Sequence, residues 1–158
     1  MGKVLMITEA YGGGIKTHFD LISKYKQEFY DYEILFYISE KRLEANQSNS
    51  LVNCIVNNEL SNFKNIFSFY KNLKELNRII NENQITIIHS HSTIAGILCK
   101  FYKMIYGRKL KFVYTPHGYY SQGKHSFIKK RIIVLIERFI EKKIKPFMYL
   151  REKIFMQV

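Results

Sequence analysis

A few residues in this sequence could do chemistry by type and spacing. His89 and His91 alternate with Ser90 and Ser92 in an HSHS run, His117 lies between Pro116 and Gly118, and Gly12, Gly13 and Gly14 stand together just ahead of His18. An imidazole changes charge near neutrality, so a histidine in a cleft can donate a hydrogen bond or stabilise developing charge. A glycine turn at a helix start lets backbone N–H groups approach an anion that the helix dipole favours. Each feature has a plainer reading. A histidine at a strand end often only ties down a turn, the reading we prefer for His89, and a glycine loop can simply turn the chain.

The elements needed to position these residues can be read from hydrophobic periodicity. Ile85–His89, a polar turn, an apolar-periodic helix from about Ile94 to Tyr106, a turn at Gly107 and a second run, Leu110–Thr115, make one βαβ unit. A right-handed crossover puts both strand C-termini on one edge of the sheet, so His89 and His91 should come beside Thr115 and His117. Ligands of open α/β sheets bind outside that edge. Upstream, Lys3–Thr8 reads as a strand covered on both faces, and the glycine turn leads into a helix with Ile15, Phe19, Leu21, Ile22 and Tyr25 as its apolar positions. Tyr32–Ile38 and Leu51–Val56 read as further strands. Between Asn65 and Asn83, Ile66, Phe69, Tyr70, Leu73, Leu76, Ile79 and Ile80 recur at helical spacing. Alternating strands and helices specify an α/β fold, a Rossmann-like doubly wound parallel sheet. A last helix is expected from about Phe127 to Lys143, after which the pattern breaks down. Residues 1–144 are therefore read as one domain and 145–158 as an irregular tail with no further strand.

Composition narrows the class. The chain has 158 residues, 47% hydrophobic and 24% charged, enough for one globular domain with a real core. No transmembrane or signal segment stands out, and a cytoplasmic location is expected. Cys54 and Cys99 fit reduced core residues. The glycine turn matches neither GxGxxG nor a P-loop, which argues against dinucleotide dehydrogenases and NTPases of those kinds. The net charge of +12 concentrates between Lys124 and Lys145, and its plain reading is a solvated helix face. Specific nucleic-acid binding is not expected, because the aromatics fall at core-periodic positions and no RNP, helix-turn-helix or zinc pattern occurs.

Taken together, GGGIKTHFDL, IIHSHSTIAGILCKF and YTPHGYY followed by KKRIIVLIERFIEKK resemble the N-terminal half of family 4 glycosyltransferases. The resemblance implies a GT-B architecture, with two Rossmann-like domains facing across a cleft. The N-terminal one mainly holds the acceptor and the C-terminal one the nucleotide-diphosphate sugar. It implies that Gly12, Gly13 and Gly14 approach the donor diphosphate and that His117 lies beside the transferred sugar as the catalytic-cleft residue. His18, His91, Ser92 and Gly118 then fall near the acceptor or cleft. It further implies a retaining, metal-independent, hexosyltransferase-like reaction with no cofactor beyond the sugar donor. A peripheral contact with an anionic membrane through Lys129, Lys130, Arg131, Arg138 and Lys142 also follows from it.

The sequence departs from that family in one respect. The donor half carries a Glu-x7-Glu motif, and no two glutamates here stand eight positions apart. The expectation is an N-terminal domain, inactive alone, that belongs to a frameshifted fragment or pairs with a separate donor-domain chain. Its acceptor would be a glycan or lipid-linked sugar in surface polysaccharide or glycolipid assembly. The alternative is a non-catalytic glycan-binding or scaffold module that pairs with a separate transferase chain.

Overall fold

The computed structural model describes residues 2–62, 65–107, 109–115, 131, 134–136, 138–139 and 145–146. In chain order the elements are β1 (Gly2–Thr8), α1 (Gly13–Lys24), β2 (Tyr32–Ile38), β3 (Cys54–Val56), α2 (Ile66–Glu82), β4 (Ile87–Ser90), α3 (Thr93–Tyr106), β5 (Lys111–Tyr114) and β6 (Lys145–Pro146). Short 3-10 turns at Lys26–Glu28 and Asn58–Ser61 join them. The strands form one sheet in the order β3-β2-β1-β4-β5-β6. Every neighbouring pair is parallel. The chain thus winds outward in one direction from β1 to β3 and in the other from β4 to β6. The order reverses between β1 and β4, where a doubly wound sheet opens its crevice.

The continuous apolar run of β1 follows from this position. Leu5 and Ile7 face α2 and α3, in a core with Tyr37, Leu76, Ile79, Ile88, Leu98 and Tyr102. Met6 faces the other way, against Tyr11, Phe19, Phe36 and Ile38 under α1. Successive side chains alternate faces, and both faces are covered over Val4–Ile7, so this stretch is apolar throughout, while the buried Thr8 at its end has its hydroxyl satisfied by hydrogen bonds.

Local signals set the helix ends. Asn65 caps α2, its side chain accepting from Ser68 N–H at 2.8 Å. Ser92 caps α3 by accepting from Ala95 N–H at 3.1 Å, and Gly107, at φ +55°, ends it in the left-handed conformation.

Three expectations are corrected. The third strand is shorter than Leu51–Val56, because Asn53 takes φ +57° and kinks the chain ahead of Cys54. The stripe of α2 does not include Ile66 and Tyr70, which are 86% and 51% exposed. Asn72 is buried instead, its amide donating to the Glu59 carbonyl at 3.0 Å, a satisfied polar group that periodicity cannot flag. The tail read as irregular opens with a strand, β6, in which Lys145 pairs with Val113 and Pro146 with Tyr114. Proline fits there because an edge position does not require its missing N–H. The described positions between 131 and 139 are helical, as expected, and Phe139 lies 6.0 Å from the Phe101 ring.

Candidate functional site in the switch-point crevice

The C-terminal ends of β1 and β4 meet at the reversal point, and the turns that leave them build the site. His91 N–H donates to the Ile7 carbonyl at 2.9 Å. The Thr8 hydroxyl donates to the His91 carbonyl at 2.9 Å and accepts from Ala10 N–H at 3.1 Å. Glu9 then reaches across to α3, where its carboxylate accepts from the Ser92 hydroxyl and, at 3.2 Å, from Ala95 N–H. Thr8 and Glu9 therefore hold the His91–Ser92 turn from one side through consecutive residues. Glu9 is only 4% exposed. Burial pushes its carboxyl above the ordinary value, against the opposing pull of the Ser92 and Ala95 bonds and of Arg42. The carboxylate sits where an outside anion would meet the α3 N-terminus.

The three described histidines gather here. His91 is fully buried. Its ring centroid lies 3.9 Å from that of His89 and 5.3 Å from that of His18, and Phe19 meets it edge-on at 4.8 Å. The His89 ring is joined through Nε2 to Thr115 Oγ1 at 2.8 Å, which couples the ends of β4 and β5. His89, His91 and Thr115 thus lie side by side, as the crossover argument requires, and His89 ties down a strand end. His18 enters from α1, which the sequence places near the site only through the glycine turn. Among the described residues no group of three or more His, Cys, Asp or Glu side chains is arranged to hold a metal ion.

The glycines are not equivalent. A Cβ on Gly12 would fall 2.7 Å from the Arg42 carbonyl oxygen, so the chain after β2 packs directly on this residue. Gly13 takes φ +52°, and Gly13 and Gly14 have nothing within 4 Å of a would-be Cβ. No side chain caps α1, so the first N–H groups of this helix open toward solvent. The loop is anchored behind: the Tyr11 hydroxyl donates to Asp20 Oδ1 at 2.7 Å, and Lys16 pairs with Asp20 Oδ2 at 2.5 Å. Burial, then the bond to Asp20, pushes the Tyr11 phenol well above its ordinary pKa.

His117, Gly118, Lys129, Lys130 and Lys142 lie outside the described residues. Arg131 and Arg138 are helical and exposed. No helix among the described residues is long and apolar enough to cross a membrane. Sequence reasoning missed Thr8, Glu9 and the Tyr11–Asp20 pair. A carboxylate directly after an apolar strand and ahead of a glycine turn was the available signal.

The sequence profile of Glycosyltransferase Family 4 matches residues 12–147. No curated protein gives a significant match. Among solved structures, sucrose-phosphate synthase from Thermosynechococcus elongatus superposes with a TM-score of 0.64 at 9% identity, over 91% of this chain and 41% of that one. A protein assigned as a UDP-N-acetylglucosamine 2-epimerase from Listeria monocytogenes superposes with a TM-score of 0.53 at 14% identity, over 88% of this chain and 37% of that one. The chain therefore spans about two fifths of the length of these structures. At such identities the likeness shows the fold alone, which is shared by a synthase and an epimerase and does not choose a reaction.

Proposed function

Because the chain belongs to glycosyltransferase family 4, we propose that it forms the acceptor-side wall of a GT-B cleft. There a sugar passes from a nucleotide-diphosphate donor to a glycan or lipid-linked acceptor in surface polysaccharide or glycolipid assembly. The observation that carries this reading is the crevice between β1 and β4, where an uncapped glycine-led helix start and the His18–His91 pair share one edge. In this reading the amides of Gly12, Gly13 and Gly14 offer hydrogen bonds to the donor diphosphate. His18 and Ser92 face the acceptor side with the buried His91 packed behind His18, and His117 with Gly118 stands beside the transferred sugar, where an imidazole can stabilise developing charge. The reaction is retaining and metal-independent, and this wall supplies half of the enclosure that transfer needs. A donor-side wall carrying the paired glutamates supplies the rest.

The test is a transfer assay on the chain co-expressed with the product of the adjacent reading frames, using radiolabelled nucleotide-diphosphate sugars and a lipid extract. Transfer that His117→Ala abolishes is the expected result. Transfer that His117→Ala leaves intact would support a scaffold. Glycan binding without transfer in any pairing would support a non-catalytic binding module. We also propose that Lys129, Lys130, Arg131, Arg138 and Lys142 hold the domain on anionic lipid at the cytoplasmic face of a membrane. Liposome flotation tests it, and equal binding to neutral vesicles would sink it.

A further inference from the structure

Glu9 has no role in the chemistry described above, yet it is one of the few buried charged side chains among the described residues. Burying a carboxylate is costly unless specific partners repay it. Its partners are the Ser92 hydroxyl and Ala95 N–H, both in the first turn of α3 and both on the far side of the switch point. Ser92 already caps that turn through its own hydroxyl, so helix capping alone does not require the carboxylate. What Glu9 adds is a link from the end of β1 to the turn carrying His91. Thr8 grips the same turn one residue earlier, through the His91 carbonyl. Glu9 and Thr8 leave β1 in succession and fasten two successive residues of the turn, which removes its freedom to slide or rotate.

We propose that Glu9 is a positioning residue: it fixes the His91–Ser92 turn, and through it the His91 ring against His18 and His89, at the ligand edge. The proposal deepens the transferase reading by naming what holds the cleft imidazole, but its geometry stands without any substrate. Replacing the carboxylate releases the turn on one side, and the His91 ring then loses its registry with His18 at 5.3 Å and His89 at 3.9 Å.

The experiment compares wild type, Glu9→Met and Glu9→Gln by NMR of the histidine ring protons and by amide hydrogen exchange, with no ligand present. Methionine keeps the shape of the buried side chain but offers no oxygen, and glutamine keeps an acceptor oxygen. In Glu9→Met the His91 and His18 ring resonances should move, and exchange at Ala95 should speed up by roughly five- to tenfold, the loss of about one net hydrogen bond. Glu9→Gln should restore both to near wild type. Wild-type resonances and protection in Glu9→Met overturn the proposal, as does a Glu9→Gln protein as displaced as Glu9→Met. Should Glu9→Met not fold, Ser92→Ala removes the hydroxyl half of the link and leaves the Ala95 bond, and unmoved His91 resonances there would equally overturn it. None of these readings depends on activity, so failure of the transferase assay and failure of this proposal are separate results.

Discussion

Alanine at each of the three adjacent glycines should separate one harmless position from two that are costly for different reasons. At Gly12 the new methyl carbon would sit 2.7 Å from the Arg42 carbonyl oxygen and 3.4 Å from Arg42 C and Cβ. The nearest obstacle is backbone, which cannot rotate aside, so either the glycine turn or the chain after β2 must shift. Overpacking of this kind costs about 1–3 kcal/mol. At Gly13 there is open space, but φ is +52°, where a Cβ costs about 1–2 kcal/mol. At Gly14 neither penalty applies, and alanine should be neutral or stabilising by up to about 1 kcal/mol, because the unfolded chain loses freedom. For a chain of this size 1 kcal/mol moves the melting temperature by about 2–4 °C. Thermal and urea unfolding of the three variants should therefore rank Gly14→Ala at or above wild type, with Gly13→Ala and Gly12→Ala both clearly below it. A Gly12→Ala protein as stable as wild type would refute the close approach of the Arg42 backbone. Titration with inorganic pyrophosphate adds a second axis. If the loop offers its amides to a diphosphate, Gly14→Ala should bind less tightly while remaining fully stable. Unchanged binding would remove the loop from the phosphate site.

Three further outcomes are expected. Glu9 holds its proton to higher pH in the native state than in the unfolded chain; this stabilisation is complete below the unfolded carboxyl pKa of about 4.3 and is lost as the pH rises through the native value. Urea midpoints should carry a component that falls with rising pH and disappears in Glu9→Gln, and an unchanged slope in that variant would contradict the assignment. Tyr11→Phe removes the 2.7 Å bond to Asp20 and should lower stability by about 1–2 kcal/mol in urea unfolding, the range for a part-buried hydrogen bond to a carboxyl side chain. Cys99 is fully buried, its thiol pushed up to about 12 by desolvation, so iodoacetamide should label half-buried Cys54 first and Cys99 only on unfolding.

Much of this architecture was legible in the linear chain, for reasons visible at particular residues. The β4–α3–β5 unit announces itself because α3 carries its own boundaries, a capping Ser92 and a left-handed Gly107, between two apolar runs. The meeting of His89 and Thr115 follows from crossover handedness, a constraint that requires no side-chain detail. The stripe of α2 was legible only in part. Periodicity ranks positions by hydrophobicity, so it selected Tyr70 and passed over Asn72, whose burial depends on a carbonyl thirteen residues upstream.

By itself, then, the sequence determined the order of elements from β1 to β5, the parallel sheet and the edge at which a site must lie, because these rest on local propensity and on a period that neighbouring residues share. Only the tertiary structure decided that His18 joins His91 and that Glu9 reaches Ser92 across 83 residues. It alone decided that Gly12, and not Gly14, is held by its neighbour. The physical reason is the same in each case. A buried polar partner or a close backbone approach is a property of two segments brought together, and neither segment carries a mark of the other until the sheet places them side by side.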